Sequence, residues 1–194
     1  MSSSVCTHQT LRGLVRNHTR RMARVGVISD THGLLRPQAL AFLRGCDHIV
    51  HGGDVGHSAI LDQLSALAPL TAVRGNNDKG GWADALGDTA LLEIEDVRLY
   101  AIHDIALMDI DPESLGVQIV VSGHSHKPTI EQRGKVLYVN PGSAGPRRFR
   151  LPVAVAEINI AGATVSARIV ELEGGKAAGE SSRHIRAPKD PAAR

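Results

Sequence analysis

The sequence predicts an α/β fold in which two β-sheets pack face to face with helices outside. In the first half, apolar runs of strand length alternate with helical patterns, an order typical of parallel strands joined by right-handed crossovers. In the second half, strands follow one another with few helices and end in an alternating pattern about Gly162, which is typical of an antiparallel hairpin. The 194 residues are enough for one domain with its own hydrophobic core.

The first half has the order β-α-β-α-β. Pro37 suits the first turn of a helix because its missing N–H has no partner there, and Gly45 suits the helix end. The predicted elements are a strand at 24–29, a helix at 37–45, a strand at 47–54, a helix at 57–70 and a strand at 71–78.

The second half is dominated by strands. The predicted elements are two strands within 88–104 joined at Glu95 and Asp96, a short helix at 111–116, a strand at 117–126, one strand within 131–143 and a hairpin at 153–172. We therefore expect a parallel half followed by an antiparallel half.

The charge distribution separates a central domain from two tails. Residues 25–173 carry 12 basic and 18 acidic residues, so the excess of positive charge lies at the two ends. We expect a disordered N-terminal extension at 1–23, the domain at 24–173 and a disordered tail at 174–194. An acidic domain disfavours a nucleic-acid partner, and no apolar run is long enough for a membrane span. The two cysteines form no CxxC pair, which favours a reducing, cytoplasmic setting, and a homo-oligomer is left open.

Carboxylate, amide and imidazole side chains gather where five of the predicted strands end. The carboxyl ends of strands in an α/β sheet share one rim, so we expect these side chains to form a common site. Such ligands suit Mn²⁺, Fe²⁺, Co²⁺, Ni²⁺ or Zn²⁺, whereas a structural zinc site would use thiolates. The residues concerned are Asp30, His32, Asp54, Asn76, Asn77, Asp78, His103, Asp104, His124 and His126.

These strand ends resemble a known family signature. The segments SDTHG, GGD, GNND, the single His103 and GHSH occur in the order of the calcineurin-like metallophosphoesterase motifs. The closer resemblance is to small single-domain bacterial and archaeal phosphodiesterases, which carry GNND and a later NPGS. The resemblance implies a four-layer αββα sandwich, with two mixed β-sheets face to face and helices outside.

The resemblance also implies a dinuclear metal centre. The first metal would be held by Asp30, His32 and His126, and the second by Asn76, His103 and His124, with Asp54 bridging the two. The expected cofactors are two divalent ions, with Mn²⁺ preferred and Ni²⁺, Fe²⁺, Co²⁺ or Zn²⁺ also suitable.

A centre of this kind predicts metal-dependent hydrolysis of a small-molecule phosphoester. Two divalent ions share a hydroxide near neutral pH and direct it in line at phosphorus. Asp54 and Asn77 are the expected catalytic residues. Asn77 stands where many relatives have histidine, and an amide donates a hydrogen bond but does not act as a general acid. We therefore expect a phosphodiesterase that favours activated esters, with a phosphomonoesterase as an alternative.

For five further residues a structural role stands beside a functional one. Asp78 is expected to orient the GNND turn, and Asp104 either orients an imidazole or caps the following turn. His57 either reaches the leaving group or starts a helix. Ser143 is expected to bond nearby backbone, and Arg147, with the arginine that follows it, either binds phosphate or forms a basic surface turn.

Two other functions compete with the small-molecule esterase. The retromer scaffold subunit is similar in fold but has lost several metal ligands, which implies a catalytically weak protein-binding scaffold as an alternative. Every ligand position of the present chain keeps a competent residue, which favours the enzyme. A nuclease is disfavoured because the domain is acidic and the chain has only five Trp, Tyr and Phe residues for base stacking.

Overall fold

The structure, a computed structural model that describes residues 22–148, 150–172 and, for the backbone, 183–186, contains two β-sheets packed face to face. The strands are β1 Ala23–Ile28, β2 His48–His51, β3 Leu70–Ala72, β4 Thr89–Ile94, β5 Val97–Ile102, β6 Ile119–Val121, β7 Thr129–Arg133, β8 Val136–Asn140, β9 Ala154–Ala161, β10 Thr164–Glu171 and β11 Arg183–Arg186. The helices are α1 Pro37–Leu43 and α2 Ser58–Ser65, with a 3₁₀ helix at Ile105–Leu107.

Both sheets are mixed, as the family resemblance implies. The six-stranded sheet has the order β11-β10-β9-β1-β2-β3, with β1, β2 and β3 parallel as expected. The five-stranded sheet has the order β4-β5-β6-β8-β7. Its central strands β5, β6 and β8 are parallel, so the expectation of a wholly antiparallel second half is wrong. The α/β sandwich itself is confirmed.

Alternation along β1 divides the core between two layers. Val25 and Val27 are fully buried between the sheets, together with residues of the second sheet such as Leu99. Ile28 points to the other side and packs in a second cluster with residues of α1 and α2. Gly26 lies beneath α1, where a Cβ atom would stand 2.3 Å from Leu43 Cδ2. A glycine in mid-strand therefore allows the helix to approach the sheet closely.

The outer face of the five-stranded sheet has a thinner cover. Ile105 and Met108, from the 3₁₀ helix and the residue after it, pack against the buried Tyr100 and its neighbours. The predicted helix at 111–116 is wrong, because this stretch forms successive turns that end at Gly116 with φ 67°. The segment is too short to repay the entropy of helix nucleation.

Two other expectations about the second half need correction. The stretch predicted to hold one strand holds both β7 and β8, which form a hairpin about Gly134. Residues 183–186, assigned from the sequence to a disordered tail, form β11 along β10. The rest of both expected tails, at 1–21, 173–182 and 187–194, lies outside the described residues. Neither α-helix of the described chain is long and apolar enough to cross a membrane.

Candidate metal centre

The loops that follow β1 and β2 continue the pairing of their strands. The backbone N–H of Asp30 donates to Gly53 O at 3.0 Å, and that of His32 donates to Asp54 O at 2.9 Å. These two bonds hold Asp30 and Asp54 side by side at the carboxyl ends of the parallel strands β1 and β2. The position of the site therefore follows directly from strand order.

The backbone at the rim is held in an unusual conformation. Six non-glycine residues of the described chain have positive φ, and five of them belong to the expected ligand set. Left-handed backbone is unfavourable for residues with a Cβ and persists where the surroundings enforce it, often at functional sites. The five are Asp30 at 54°, His32 at 46°, Asp54 at 54°, His124 at 64° and His126 at 56°.

The first group of candidate ligands is deeply buried. Asp30 is fully buried; its Oδ2 accepts from Ser29 Oγ at 2.6 Å and from the His124 backbone N–H at 3.2 Å. Its Oδ1 has no hydrogen-bond partner among the described residues and lies 3.1 Å from His126 Nε2. The Nε2 atoms of His32 and His126 are 3.2 Å apart. Three donor atoms thus face one small space.

The second group lies beside the first and is more open. Asn76 Oδ1 is 3.1 Å from His103 Nε2 and 3.1 Å from His124 Nδ1. The opposite ring nitrogen of His103, Nδ1, is 2.7 Å from Gly52 O and donates to it. A histidine whose Nδ1–H is bonded to backbone presents the Nε2 lone pair to the group, as metal-binding histidines do. The His124 side chain is 46% exposed, so this group faces solvent.

Asp54 stands between the two groups. Its Oδ2 is 3.8 Å from His32 Nε2 and 3.5 Å from His103 Nε2. Asn77 donates its backbone N–H to Oδ1 at 2.8 Å and its side-chain amide to Oδ2 at 2.6 Å. Burial alone would raise the pKa of Asp54, but the nearby His103 imidazole and the hydrogen bonds from Asn77 hold that pKa well below its usual range. The carboxylate is therefore ionised at neutral pH.

The donor set fits a pair of divalent cations. Asp30 and Asp54 are buried carboxylates, and neither forms an ion pair with a lysine or arginine of the described chain. Two donors bound to one ion at about 2.1 Å are themselves about 3 Å apart, which is close to the separations seen within each group. Burial lowers the pKa of His32, so its imidazole is neutral and able to act as a ligand.

Asp78 has the supporting role that the sequence suggests. Its two oxygens accept from the backbone N–H of Gly56 at 2.8 Å and of Gly75 at 2.9 Å, which joins the loop before α2 to the GNND turn. Gly75 is required here because a Cβ would stand 2.1 Å from the backbone nitrogen of Asp54. Asn76 and Asn77 are positioned by this turn.

Asp104 and Ser143 also contact the centre from outside. Asp104 Oδ1 accepts from Ala106 N at 3.0 Å and so caps the 3₁₀ helix, while its Oδ2 lies 3.7 Å from His124 Nε2. Of the two roles left open for Asp104 the structure shows the cap, because 3.7 Å is too long for a hydrogen bond to the imidazole. Ser143 Oγ donates to the backbone oxygen of Asp30 at 2.9 Å, which supports the ligand loop.

His57 and Arg147 are not brought to the centre. His57 is exposed at the start of α2, where its Nδ1 accepts from Ala59 N at 3.1 Å. The structure thus gives it the helix-start role instead of a contact with the leaving group. Arg147 is exposed and lies outside the three cavities described below.

Three further residues support the centre, and two of them, Ser29 and Asn140, were not identified from the sequence. Ser29 binds Asp30 Oδ2, and Asn140 Nδ2 donates to Gly123 O at 2.6 Å, which holds the loop before His124. His51 is fully buried; its Nδ1 accepts from Gly53 N at 3.2 Å and burial lowers its pKa to about 4. All three residues lie in or beside the motif segments SDTHG, HGGD and VNPGS, and this position could have indicated them. A search for metal-ligand residue types alone does not find the serine and amide side chains that support the ligands.

Three cavities adjoin the centre and His124 lines all of them; one, of about 120 Å³, lies beside Asn140. A cleft of about 590 Å³ opens on the Asn76 side, and a smaller cavity of about 180 Å³ lies on the His126 side. The cleft wall includes Arg74, Lys79, Asp88, Ile102, Asp104, Leu107 and Asp109. The smaller cavity is lined by His124, Ser125, His126, Arg148 and Leu151. The centre is therefore open on both sides.

Known proteins are similar to this chain in sequence or in fold. A probable metallophosphoesterase of Methanothermobacter thermautotrophicus is 34% identical over 159 residues, 75% of this chain and 91% of the relative. A phosphodiesterase of Methanocaldococcus jannaschii is 25% identical over 137 residues, 61% of this chain and 82% of its own. The structure of Vps29 from Entamoeba histolytica complexed with zinc shares the fold, with a TM-score of 0.67 and 21% identity over 84% of this chain and 98% of its own. Residues 23–161 match the calcineurin-like phosphoesterase superfamily domain, and the chain belongs to that superfamily.

Proposed function

We propose that this protein is a phosphodiesterase that hydrolyses small phosphoesters with the help of two divalent metal ions. One observation carries the proposal: two groups of donor atoms at the rim share the buried Asp54 carboxylate. A carboxylate with two oxygens and no cationic side chain as partner suits the position between two cations. The family and the name of the phosphodiesterase relative support hydrolysis of a phosphoester.

The residues of the chain divide the work. When bound, two divalent ions supply Lewis acidity and lower the pKa of a water molecule, which gives a nucleophile near neutral pH. In this proposal Asp30, His32 and His126 would hold one ion, Asn76, His103 and His124 the other, and Asp54 would contact both; the short separations between these side chains support the assignment. We propose that Asn77, whose side-chain amide donates one N–H to Asp54, directs its second N–H to a phosphoryl oxygen. The cleft on the Asn76 side, with Ile102 and Leu107 in its wall, accommodates the leaving group.

The metal itself is proposed as Mn²⁺. Imidazole, carboxylate and amide oxygen together favour a borderline ion over Mg²⁺ or Ca²⁺, and the zinc-bound Vps29 structure keeps Zn²⁺ as a competitor. The test is to strip the protein with a chelator, reload it with each ion in turn, and measure bound metal and hydrolysis together. We expect two ions per chain and the fastest turnover with Mn²⁺. A single bound ion would contradict the dinuclear centre.

The leaving group provides the sharpest test of the chemistry. Because Asn77 does not protonate a departing alkoxide, we expect bis(4-nitrophenyl) phosphate to react much faster than a dialkyl ester. The variant N77H supplies an acid at this position and is expected to reduce that difference, mainly by raising the rate with the alkyl ester. The variant N77A serves as the matched control, since it removes the amide without adding an acid. Equal rates for both esters with the unaltered protein would rule out this role of Asn77.

A protein-binding scaffold is the second candidate, because the chain shares the fold of Vps29. One result distinguishes the scaffold from the esterase. A protein that binds two metal ions but hydrolyses neither diesters nor monoesters, with any of the ions tested, is a scaffold.

A further inference from the structure

The loop after β8 is attached to the first ligand loop. The backbone N–H of Ala144 donates to Ser29 O at 3.0 Å, and that of Gly145 donates to Asp30 O at 3.2 Å. A Cβ on Gly145 would lie 2.2 Å from Thr31 O, so the two loops approach as closely as glycine allows. The loop is therefore attached to the Asp30 loop as far as Gly145.

Arg148 lies three residues beyond this attachment and lines the smaller cavity. The cavity of about 180 Å³ places it with His124 and His126, one candidate ligand from each group. Arg148 is exposed and forms no ion pair with the described residues. The guanidinium thus belongs to a residue that shares one cavity wall with a candidate ligand of each group.

We propose that Arg148 is a substrate-binding residue that donates to a non-bridging oxygen of the phosphoryl group from the His126 side. This inference rests on the proposed function. The guanidinium suits the role because it is always charged and presents paired N–H donors to phosphate oxygens. Its neighbour Arg147 lies outside the cavity, so of the two arginines for which the sequence suggests a phosphate contact, Arg148 is the better candidate.

The proposal distinguishes between substrates. A diester has two non-bridging oxygens, and two bound cations would be able to contact both of them. A monoester, or inorganic phosphate, has a third oxygen and one more negative charge. Arg148 therefore contributes more to the binding of a monoester and of inorganic phosphate than to the binding of a diester.

The test compares Arg148→Ala, Arg148→Lys and the matched control Arg147→Ala, all loaded with Mn²⁺. With 4-nitrophenyl phosphate we expect Arg148→Ala to lower kcat/KM about 10- to 100-fold, mainly through KM, as for loss of a charged hydrogen bond. With bis(4-nitrophenyl) phosphate the loss is smaller, Arg148→Lys restores part of it, and Arg147→Ala stays within about twofold of the unaltered protein. Calorimetric titration with inorganic phosphate is expected to show the same loss of affinity, with the metal content unchanged.

Failure of this proposal can be distinguished from failure of the proposed function. Equal kinetics and equal phosphate affinity for Arg148→Ala and Arg147→Ala would overturn the assignment, as would a loss of bound metal in Arg148→Ala. A protein that hydrolyses no ester but loses phosphate affinity only in the Arg148 variants would contradict the esterase and support the binding role.

Discussion

Two buried carboxylates on neighbouring strands of the six-stranded sheet have opposite surroundings. Glu157 in β9 is 5% exposed; it forms an ion pair with Arg24 on one oxygen and with Arg168 at 2.9 Å on the other. Asp30, at the end of β1, is fully buried, and no lysine or arginine of the described chain pairs with it. The polypeptide thus supplies cations for one buried charge and not for the other.

The difference indicates what each carboxylate is for. An ionised carboxylate in the interior is stable only when cations or several hydrogen bonds compensate its loss of hydration. The Glu157 cluster is complete within the chain, and its ion pairs lower the pKa of Glu157 to about 2 despite burial. Around Asp30 and Asp54 the nearest partners are a serine hydroxyl, imidazoles and amides. That region needs positive charge from outside the chain, which is the property of a metal centre.

The largest expected effect comes from removing a carboxylate that lacks a cationic partner within the chain. Asp54→Ala removes the one carboxylate common to both groups, and we expect kcat/KM for an activated diester to fall at least about 1000-fold, since metal-ion stabilisation amounts to several kcal/mol. His124→Ala is expected to behave in the same way. Metal analysis should show less than two ions per chain in both variants.

The matched control for this prediction is Glu157→Gln. It alters an equally buried carboxylate that has its own cationic partners, so its activity and metal content should equal those of the unaltered protein. Full activity in Asp54→Ala, or lost activity in Glu157→Gln, would show that the distinction between the two carboxylates is wrong.

A second prediction concerns the link between metal and stability. A ligand present at about 100 times its Kd stabilises the folded state by about 2.7 kcal/mol per site. Saturating Mn²⁺ should therefore raise the Tm of the unaltered protein and of Glu157→Gln by the same several degrees. In Asp30→Asn the gain should be much smaller, because the amide keeps the hydrogen bonds of Asp30 Oδ2 but removes the charge. Differential scanning calorimetry with Mn²⁺ and with a chelator measures all three, and an equal gain in Asp30→Asn would contradict the assignment.

The candidate metal ligands were more predictable from the sequence than the residues that support them. The expected ligands could be found because Asp, Asn and His recur after strands, and strand order brings such ends to one rim. The strand pattern likewise predicts β1 to β3 and the hairpin of β9 with β10. Supports such as Ser29 and Asn140 are not visible in the pattern, because their roles depend on which backbone group lies next to them in space.

The paired carboxylate shows the same limit. Glu157 follows an alternating apolar pattern in β9, and nothing local distinguishes it from a solvent-facing residue. Its partners come from β1 and β10, so their meeting is fixed only by the register of three strands. The helix expected at 111–116 failed for a related reason: local propensity does not reveal that the Asp111 side chain accepts from Glu113 N at 3.1 Å within a turn.

The smallest expected effect concerns Glu157, the carboxylate paired with arginines, and is measured as the pH dependence of stability. The pKa of Glu157 is lowered to about 2 in the folded protein from an ordinary value of 4.5, so its contribution to stability is complete above about pH 4.5 and is lost as the pH falls toward 2. Glu157→Gln should lower the free energy of unfolding at pH 7 by about 2 kcal/mol, as expected for lost charged hydrogen bonds. Urea unfolding with a chelator present, between pH 7 and pH 3, should show this difference shrink only below about pH 4.5. Glu131→Gln is the control, since the pair of Glu131 with Arg133 is exposed and should change stability by less than about 0.5 kcal/mol. A difference between Glu157→Gln and the unaltered protein that stays constant down to pH 3 would mean that the carboxylate is not held ionised by its arginines.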